Sequence, residues 1–336
     1  MSKELFDIDA FRAKPLPTEG EIMANWQGDI DKPVVSILCN TFNHKNYIED
    51  AFRGFLIQKT DFVFEVIVHD DASTDGTSDI VRQYAKCYPH IFKPLIQTEN
   101  QYSKGQAPTI ISFPYSKGKY IALCEGDDFW IYEGKLQDYI NILDSKVDIS
   151  IVASEGYIRK VKKGDSVKKI SVMDELYNLP LYLKVEPFIM TCSIMARRNV
   201  FECFSFSNHD YFAGDTRLKL IALTFGDMFV FSQAMSIYNK GSIGSWSNRK
   251  IDLDLLLTEL LDNISILREI NRLSGSRFSY EIFVRVKELS FKYEVLCYAA
   301  KGRLSMVFYL LLNIFSIKVK NYKFLAKCFF KPFSSN

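Results

Sequence analysis

Between residues 33 and 154 the chain alternates short, continuous apolar runs with longer stretches whose apolar residues recur at helical spacing. PVVSILC (33–39) is uninterrupted and β-branched, the pattern of a strand buried on both faces. NYIEDAFRGFLIQ (46–58) places Tyr47, Ile48, Ala51, Phe52, Phe55 and Leu56 on one helical stripe. FVFEVIVH (62–69) predicts a second strand, and SDIVRQYAKCY (78–88) a helix that Pro89 stops, with Thr74 or Asp75 as its N-cap. FKPLIQT predicts a shorter strand and GKYIALC (118–124) a strong one. KLQDYINILD then reads as a helix beginning near Tyr132, and DISIVAS (148–154) as a further strand.

Strands alternating with helices predict an α/β fold with a mainly parallel sheet, covered on both faces by right-handed crossovers. Ligands of such sheets sit beyond the carboxyl ends of the strands. Three polar loops follow directly on strand ends: Asn40–Asn43, Asp70–Asp71 and Glu125–Asp128. They should open on one edge and face one ligand.

Outside this region the pattern is less regular. Residues 1–32 read as an N-terminal extension in which Pro15 and Pro17 interrupt helix. RKVKKGDSVKK predicts a hairpin turning at Gly164 and Asp165. PFIMTCSIMARRNVF (187–201) is strand-like, and DTRLKLIALTFG (215–226) is a helix ending at a glycine. DMFVFSQAMSIYN is a strand pair or one bent strand, and from about 250 onward the pattern is helical. The division expected is 1–32, then a domain at 33–249 split near 154, then a helical region at 250–336.

Composition narrows the function classes. The formal net charge of +2 gives no overall reason for a nucleic-acid partner. Seven cysteines, odd in number and without a C-x-x-C pair, read as core residues of a reducing compartment. The polar N-terminus lacks the apolar core of a signal peptide. The most apolar stretch, LSMVFYLLLNIF (304–315), is shorter than the roughly 18 residues of a membrane span. A cytoplasmic protein is expected. From 301 to 336 there are seven Lys or Arg and no acidic residue. Aliphatic, aromatic and Lys residues over 303–331 have the character of an interfacial helix, which suggests peripheral contact at the inner face of the plasma membrane.

The sharpest chemical signal is LCEGDDFW (123–130), with Glu125, Asp127 and Asp128 inside four positions. Crowded carboxylates need a positive partner, and Mg²⁺ or Mn²⁺ suits oxygen ligands, Mg²⁺ commonly with phosphates completing its shell. A competing explanation is that the acids cap the helix that follows. In IVHDDASTDGT, Asp70 and Asp71 could accept from a base N–H or ribose hydroxyls, while His69 reads as a hydrogen-bonded structural residue.

Taken together, VSILCNTFNHKNYIEDAFRGFLIQKT, FEVIVHDDASTDGTSDIV and GKYIALCEGDDFW closely resemble the family 2 nucleotide-diphospho-sugar glycosyltransferases of bacterial surface-polysaccharide type. The resemblance runs from 33 to about 247 and implies the GT-A (Rossmann-like) fold, with a helical C-terminal extension beyond it. It implies that Asn40, Thr41, Phe42, Asn43, Asp70, Asp71 and Ser73 bind the nucleoside of a nucleoside-diphosphate sugar. Glu125-Gly126-Asp127 matches the family's DxD, with Glu at its first position; Asp127 and Asp128 are the implied metal ligands. It also implies a general base at the start of a later helix, where Asp215 stands, with Asp210 the nearest rival. Trp130 and Trp246 are candidate walls for a glycan or lipid-linked acceptor.

One segment departs from the family. Where relatives carry YRxHxGGxWS, this chain reads YNKGSIGSWS (238–247), so a His able to approach the metal is replaced by Gly241. The implied activity is inverting transfer from a nucleotide sugar. A nucleotide-sugar-binding subunit without turnover is the alternative that this departure motivates. A metal-dependent nucleotidyltransferase is a third reading, and the glycine-free first loop NTFNHKN opposes it.

Overall fold

The computed structural model describes residues 6–161, 166–206, 214–242 and 253–300. They fall into two compact units, one running to Asn248 and the other a helical region beyond it.

The first unit is built on one sheet of ten strands among the described residues: β1 (Val35–Thr41), β2 (Phe64–Asp70), β3 (Phe92–Ile96), β4 (Tyr120–Leu123), β5 (Phe129–Trp130), β6 (Ile149–Lys160), β7 (Ser166–Ile170), β8 (Leu176–Tyr177), β9 (Met195–Arg197) and β10 (Asp227–Lys240). The main order is β3-β2-β1-β4-β9-β6-β10-β5, with β7 pairing β6 and β8 pairing β10. β3, β2, β1 and β4 are parallel neighbours, and β6 and β10 are parallel to each other. β9 runs antiparallel to both β4 and β6, which leaves those two strands pointing the same way. The carboxyl ends of six strands therefore share one edge.

The helices of this unit are α1 (Ile8–Ala13), α2 (Glu19–Met23), α3 (Ile48–Leu56), α4 (Thr77–Cys87), α5 (Pro108–Ser112), α6 (Lys135–Ser145), α7 (Leu179–Val185), α8 (Arg198–Phe206) and α9 (Gly214–Phe225). α3 buries the apolar stripe read from the sequence, and Phe52 and Phe55 enter the main core with Phe64, Phe92 and Trp130. It can press this close because of Gly54: a Cβ there would lie 2.7 Å from the backbone N and O of Trp130.

Several elements differ from expectation. The strand-like run at 187–201 yields only the three-residue β9, because Thr191–Ser193 turns as a 3₁₀ helix before it. Asp227–Lys240 is one strand, bent by register shifts at Phe231/Ala234 and Ala234/Ser236. The hairpin after β6 forms, with Lys160 opposite Ser166, while its turn lies outside the described residues. The cap of α4 is Gly76, at φ 99, and neither Thr74 nor Asp75; Asp75 instead accepts from the Thr77 N–H at 2.9 Å. The N-terminal extension is docked. Phe11 stacks on Phe129 at 5.2 Å, Arg12 grips Asp50 through Nε (2.8 Å) and Nη2 (2.6 Å), and Ile22 joins the main core.

The second unit, by itself, contains α10 (Leu253–Leu273) and α11 (Ser279–Ala300), joined by a turn with Gly275 and Ser276 both at positive φ. No helix among the described residues is long and apolar enough to cross a membrane. The segment 303–331 lies outside the described residues.

Candidate active site

The three polar loops do meet at the shared edge, and backbone hydrogen bonds tie them there. Asp71 N donates to Thr41 O at 3.0 Å, and Gly126 N donates to Asn40 O at 2.9 Å. Asn43 takes a left-handed φ of 56, which turns its N–H onto Ser73 Oγ at 2.9 Å and lets its Oδ1 accept from Thr74 N at 2.8 Å. Asp70 is buried and accepts from both Ser73 N (3.1 Å) and Ser73 Oγ (2.5 Å), and from Ser78 Oγ. Asp70 and Ser73 thus shape the loop. Asp71 spends its two oxygens on the backbone N–H groups of Gln101 (2.6 Å) and Tyr102 (3.0 Å). Phe42 is half-buried beside them. His69 is buried, and neither ring nitrogen has a hydrogen-bond partner among the described residues, unlike the hydrogen-bonded residue expected.

Glu125, Asp127 and Asp128 each bring a carboxylate oxygen within 4.8 Å of the other two. They do not cap the next helix: α6 begins at Lys135 behind Gly134. Their charge is therefore unexplained by helix-end chemistry. Burial, then Asp127, then Asp215 push the Glu125 carboxyl up to about 8. Burial and both acidic neighbours push Asp128 well above the carboxylate range. A divalent cation would relieve this repulsion.

The surroundings fit such an ion. The donors are hard carboxylate oxygens. Gly126 opens the centre of the loop, since a Cβ there would fall 2.6 Å from Thr41 Oγ1 and 3.2 Å from His44 Nδ1. Asn40 Oδ1, Thr41 Oγ1 and His44 Nδ1 are all buried without a hydrogen-bond partner among the described residues. Buried polar atoms are rarely left so, and their gathering here marks a place built for something polar.

Three residues at this site were not among the candidate site residues. Asn239 N donates to Asp128 Oδ1 at 2.8 Å, and its Nδ2 donates to Asp127 O at 2.6 Å. Ser242 Oγ donates to Asp127 Oδ2. His44 Nε2 stands 3.9 Å from the same Asp127 oxygen. Burial lowers the His44 pKa more than the nearby carboxylates raise it, so this approach is not an ion pair at neutral pH. The altered 238–247 segment thus buttresses the acids through Asn239 and Ser242.

Asp215 lies in the first turn of α9 with its side chain 40% exposed, and its charge reaches Glu125. Lys219, one helical turn on, binds its Oδ2 at 2.9 Å. Burial works to raise the Asp215 pKa, but the Lys219 ammonium outweighs it and holds the carboxyl below its usual value.

Trp130 requires a correction. It is 0% exposed, its Nε1 donates to Cys192 O at 2.7 Å, and its ring meets Phe55 edge-on. It is a core residue and lines no acceptor surface, because the β5 pairing with β10 turns it inward. Trp246 and Asp210 lie outside the described residues.

Likeness to solved structures gives the class: the fold is that of GT-A glycosyltransferases. The chain aligns with S. aureus TarS 1-349 in complex with UDP-GlcNAc at a TM-score of 0.55 and 16% identity, over 79% of this chain and 80% of that one. It aligns with the mannosyltransferase PcManGT of Pyrobaculum calidifontis, in complex with GDP-Man and Mn²⁺, at a TM-score of 0.50 and 16% identity, over 95% and 88% of the two chains. The Glycosyl transferase family 2 profile matches residues 36–205, half of the chain, which belongs to that family. An uncharacterized Mycobacterium bovis protein is 28% identical over 65% of this chain and 62% of its own length. Escherichia coli WfaP, a UDP-Glc:alpha-D-GlcNAc-diphosphoundecaprenol beta-1,3-glucosyltransferase, is 30% identical over 38% of this chain and 47% of its own.

Proposed function

We propose that this chain moves a sugar from a nucleoside-diphosphate sugar to a hydroxyl of a glycan or lipid-linked acceptor, with inversion, during surface-polysaccharide synthesis. The observation that carries the reading is the convergence of Glu125, Asp127 and Asp128, within 4.8 Å, on a strand edge already tied to the Asn40–Asn43 and Asp70–Ser73 loops. Those two loops would hold the nucleoside, while Asp127 and Asp128 would hold Mg²⁺ or Mn²⁺. A bound divalent ion supplies charge stabilisation for the departing diphosphate.

In the single displacement, Asp215 takes the proton of the acceptor hydroxyl. The oxygen forms its bond to the anomeric carbon, and the bond to the diphosphate oxygen breaks with its electron pair. The remaining catalysis is positioning. WfaP supports a lipid-diphosphate acceptor by analogy. The basic apolar segment 303–331 supports peripheral membrane contact at the cytoplasmic face. Deleting 303–336 should shift the protein from the membrane to the soluble fraction of a cell lysate; unchanged partitioning refutes that contact.

A second reading, a sugar-nucleotide-binding subunit without turnover, draws on the Lys219–Asp215 pair, which weakens Asp215 as a base. One experiment separates the two. UDP- and GDP-sugars with Mn²⁺ are screened for nucleoside-diphosphate release in the presence of lipid-linked acceptors. Wild type should turn over, and Asp215→Asn should lose about 10²-fold or more in rate while nucleotide still raises its Tm. A wild type that binds nucleotide and never turns over gives the answer to the second reading.

A further inference from the structure

We infer that His44 is a nitrogen ligand of the divalent cation, supplied by the first loop and biasing the site toward Mn²⁺ over Mg²⁺. This deepens the functional reading above and rests on its metal site.

The imidazole meets the Tyr47 ring edge-on at 6.5 Å, a packing contact that uses neither ring nitrogen as a hydrogen-bonding group. The start of α3 uses the His44 carbonyl, which accepts from Tyr47 N and Ile48 N, each at 2.9 Å, and any residue offers a carbonyl. The imidazole is 7% exposed, and Nδ1 has no hydrogen-bond partner among the described residues. Its Nε2 is aimed at Asp127 Oδ2 across 3.9 Å, too long for a hydrogen bond. Two ligands each about 2.1 Å from one ion lie about 3.0 Å apart at a right angle and about 4.2 Å apart in line. The observed gap falls inside that range, so one ion can take both atoms. Thr41 Oγ1, also without a partner among the described residues and on the same side of Gly126 as Nδ1, is a candidate to accept from Nδ1–H once the ring is held.

The substitution at Gly241 leaves room for this assignment. The 239–242 segment contributes hydrogen-bond donors to the acids and brings no nitrogen ligand. Carboxylate and phosphate oxygens alone suit Mg²⁺ and Mn²⁺ alike, and an imidazole moves the preference toward the transition metal.

The test is pulsed EPR on the full chain with Mn²⁺ alone and with Mn²⁺ plus UDP. Wild type should show ¹⁴N modulation from a directly bound imidazole, and the modulation should vanish in His44→Gln. Mn²⁺ affinity should fall about tenfold or more in that variant while Mg²⁺ affinity changes less. The chain has four histidines, so one variant assigns the signal. Should His44→Gln unfold, the wild-type spectrum still decides, with ¹⁵N-histidine labelling to confirm the nitrogen. Mn²⁺ bound without nitrogen coupling overturns the role of His44 and leaves the carboxylate site standing. Mn²⁺ that fails to bind with or without UDP overturns both.

Discussion

Asp127→Asn should lose about 10³-fold or more in sugar transfer while the protein stays folded. The carboxylate lies at the centre of the cluster. Its Oδ2 receives the Ser242 hydroxyl and faces His44, and its backbone carbonyl receives the Asn239 amide. An amide of the same shape keeps the main-chain contact, so the Tm should move by only a few degrees. It cannot supply the anionic oxygen that a hard cation requires. The stabilisation of nucleoside diphosphate by Mn²⁺ in thermal unfolding should disappear with the activity. Transfer at the wild-type rate in Asp127→Asn would remove the acid cluster from the mechanism altogether.

Trp130→Ala should destabilise the first unit by about 3–5 kcal/mol, measured by denaturant unfolding. The indole fills the space between α3 and the sheet, against Phe55 at 5.0 Å and under the Lys135 ammonium at 5.3 Å. Deleting it leaves a cavity that Gly54, pressed on the backbone of the same residue, cannot fill. Trp130→Phe keeps most of the volume and removes the 2.7 Å donor to the Cys192 carbonyl, which retains the Ser236 hydroxyl at 3.3 Å, so it should cost about 0.5–1.5 kcal/mol. Acceptor KM measured on the Phe variant should be unchanged. A selective rise in acceptor KM at full stability would return Trp130 to the acceptor surface.

The two tryptophan expectations show where local pattern stops being informative. An aromatic after EGDD sits equally well in a binding wall or in a core, and which it does depends on β10, more than 100 residues later, pairing Ser236 with Trp130. Asn239 and Ser242 were invisible for the same reason: each is polar, unremarkable in its own segment, and meaningful only beside Asp127 and Asp128. His44 could have been suspected, since it stands in a loop at a strand end, but its distance to the acids was not readable. β9 was hidden inside a longer apolar run, because strand direction leaves no trace in hydrophobicity.

By itself, the sequence determined the alternation of buried strands and amphipathic helices, hence a largely parallel sheet with its polar loops on one edge. Periodicity encodes this, since burial on two faces and burial on one stripe need different spacings. It also determined which loop carries the carboxylates, for their crowding is local. Tertiary structure alone decided which neutral groups surround them and that Trp130 faces inward. Those outcomes depend on pairings between distant segments, and such pairings are set by packing in three dimensions rather than by any short run of residues.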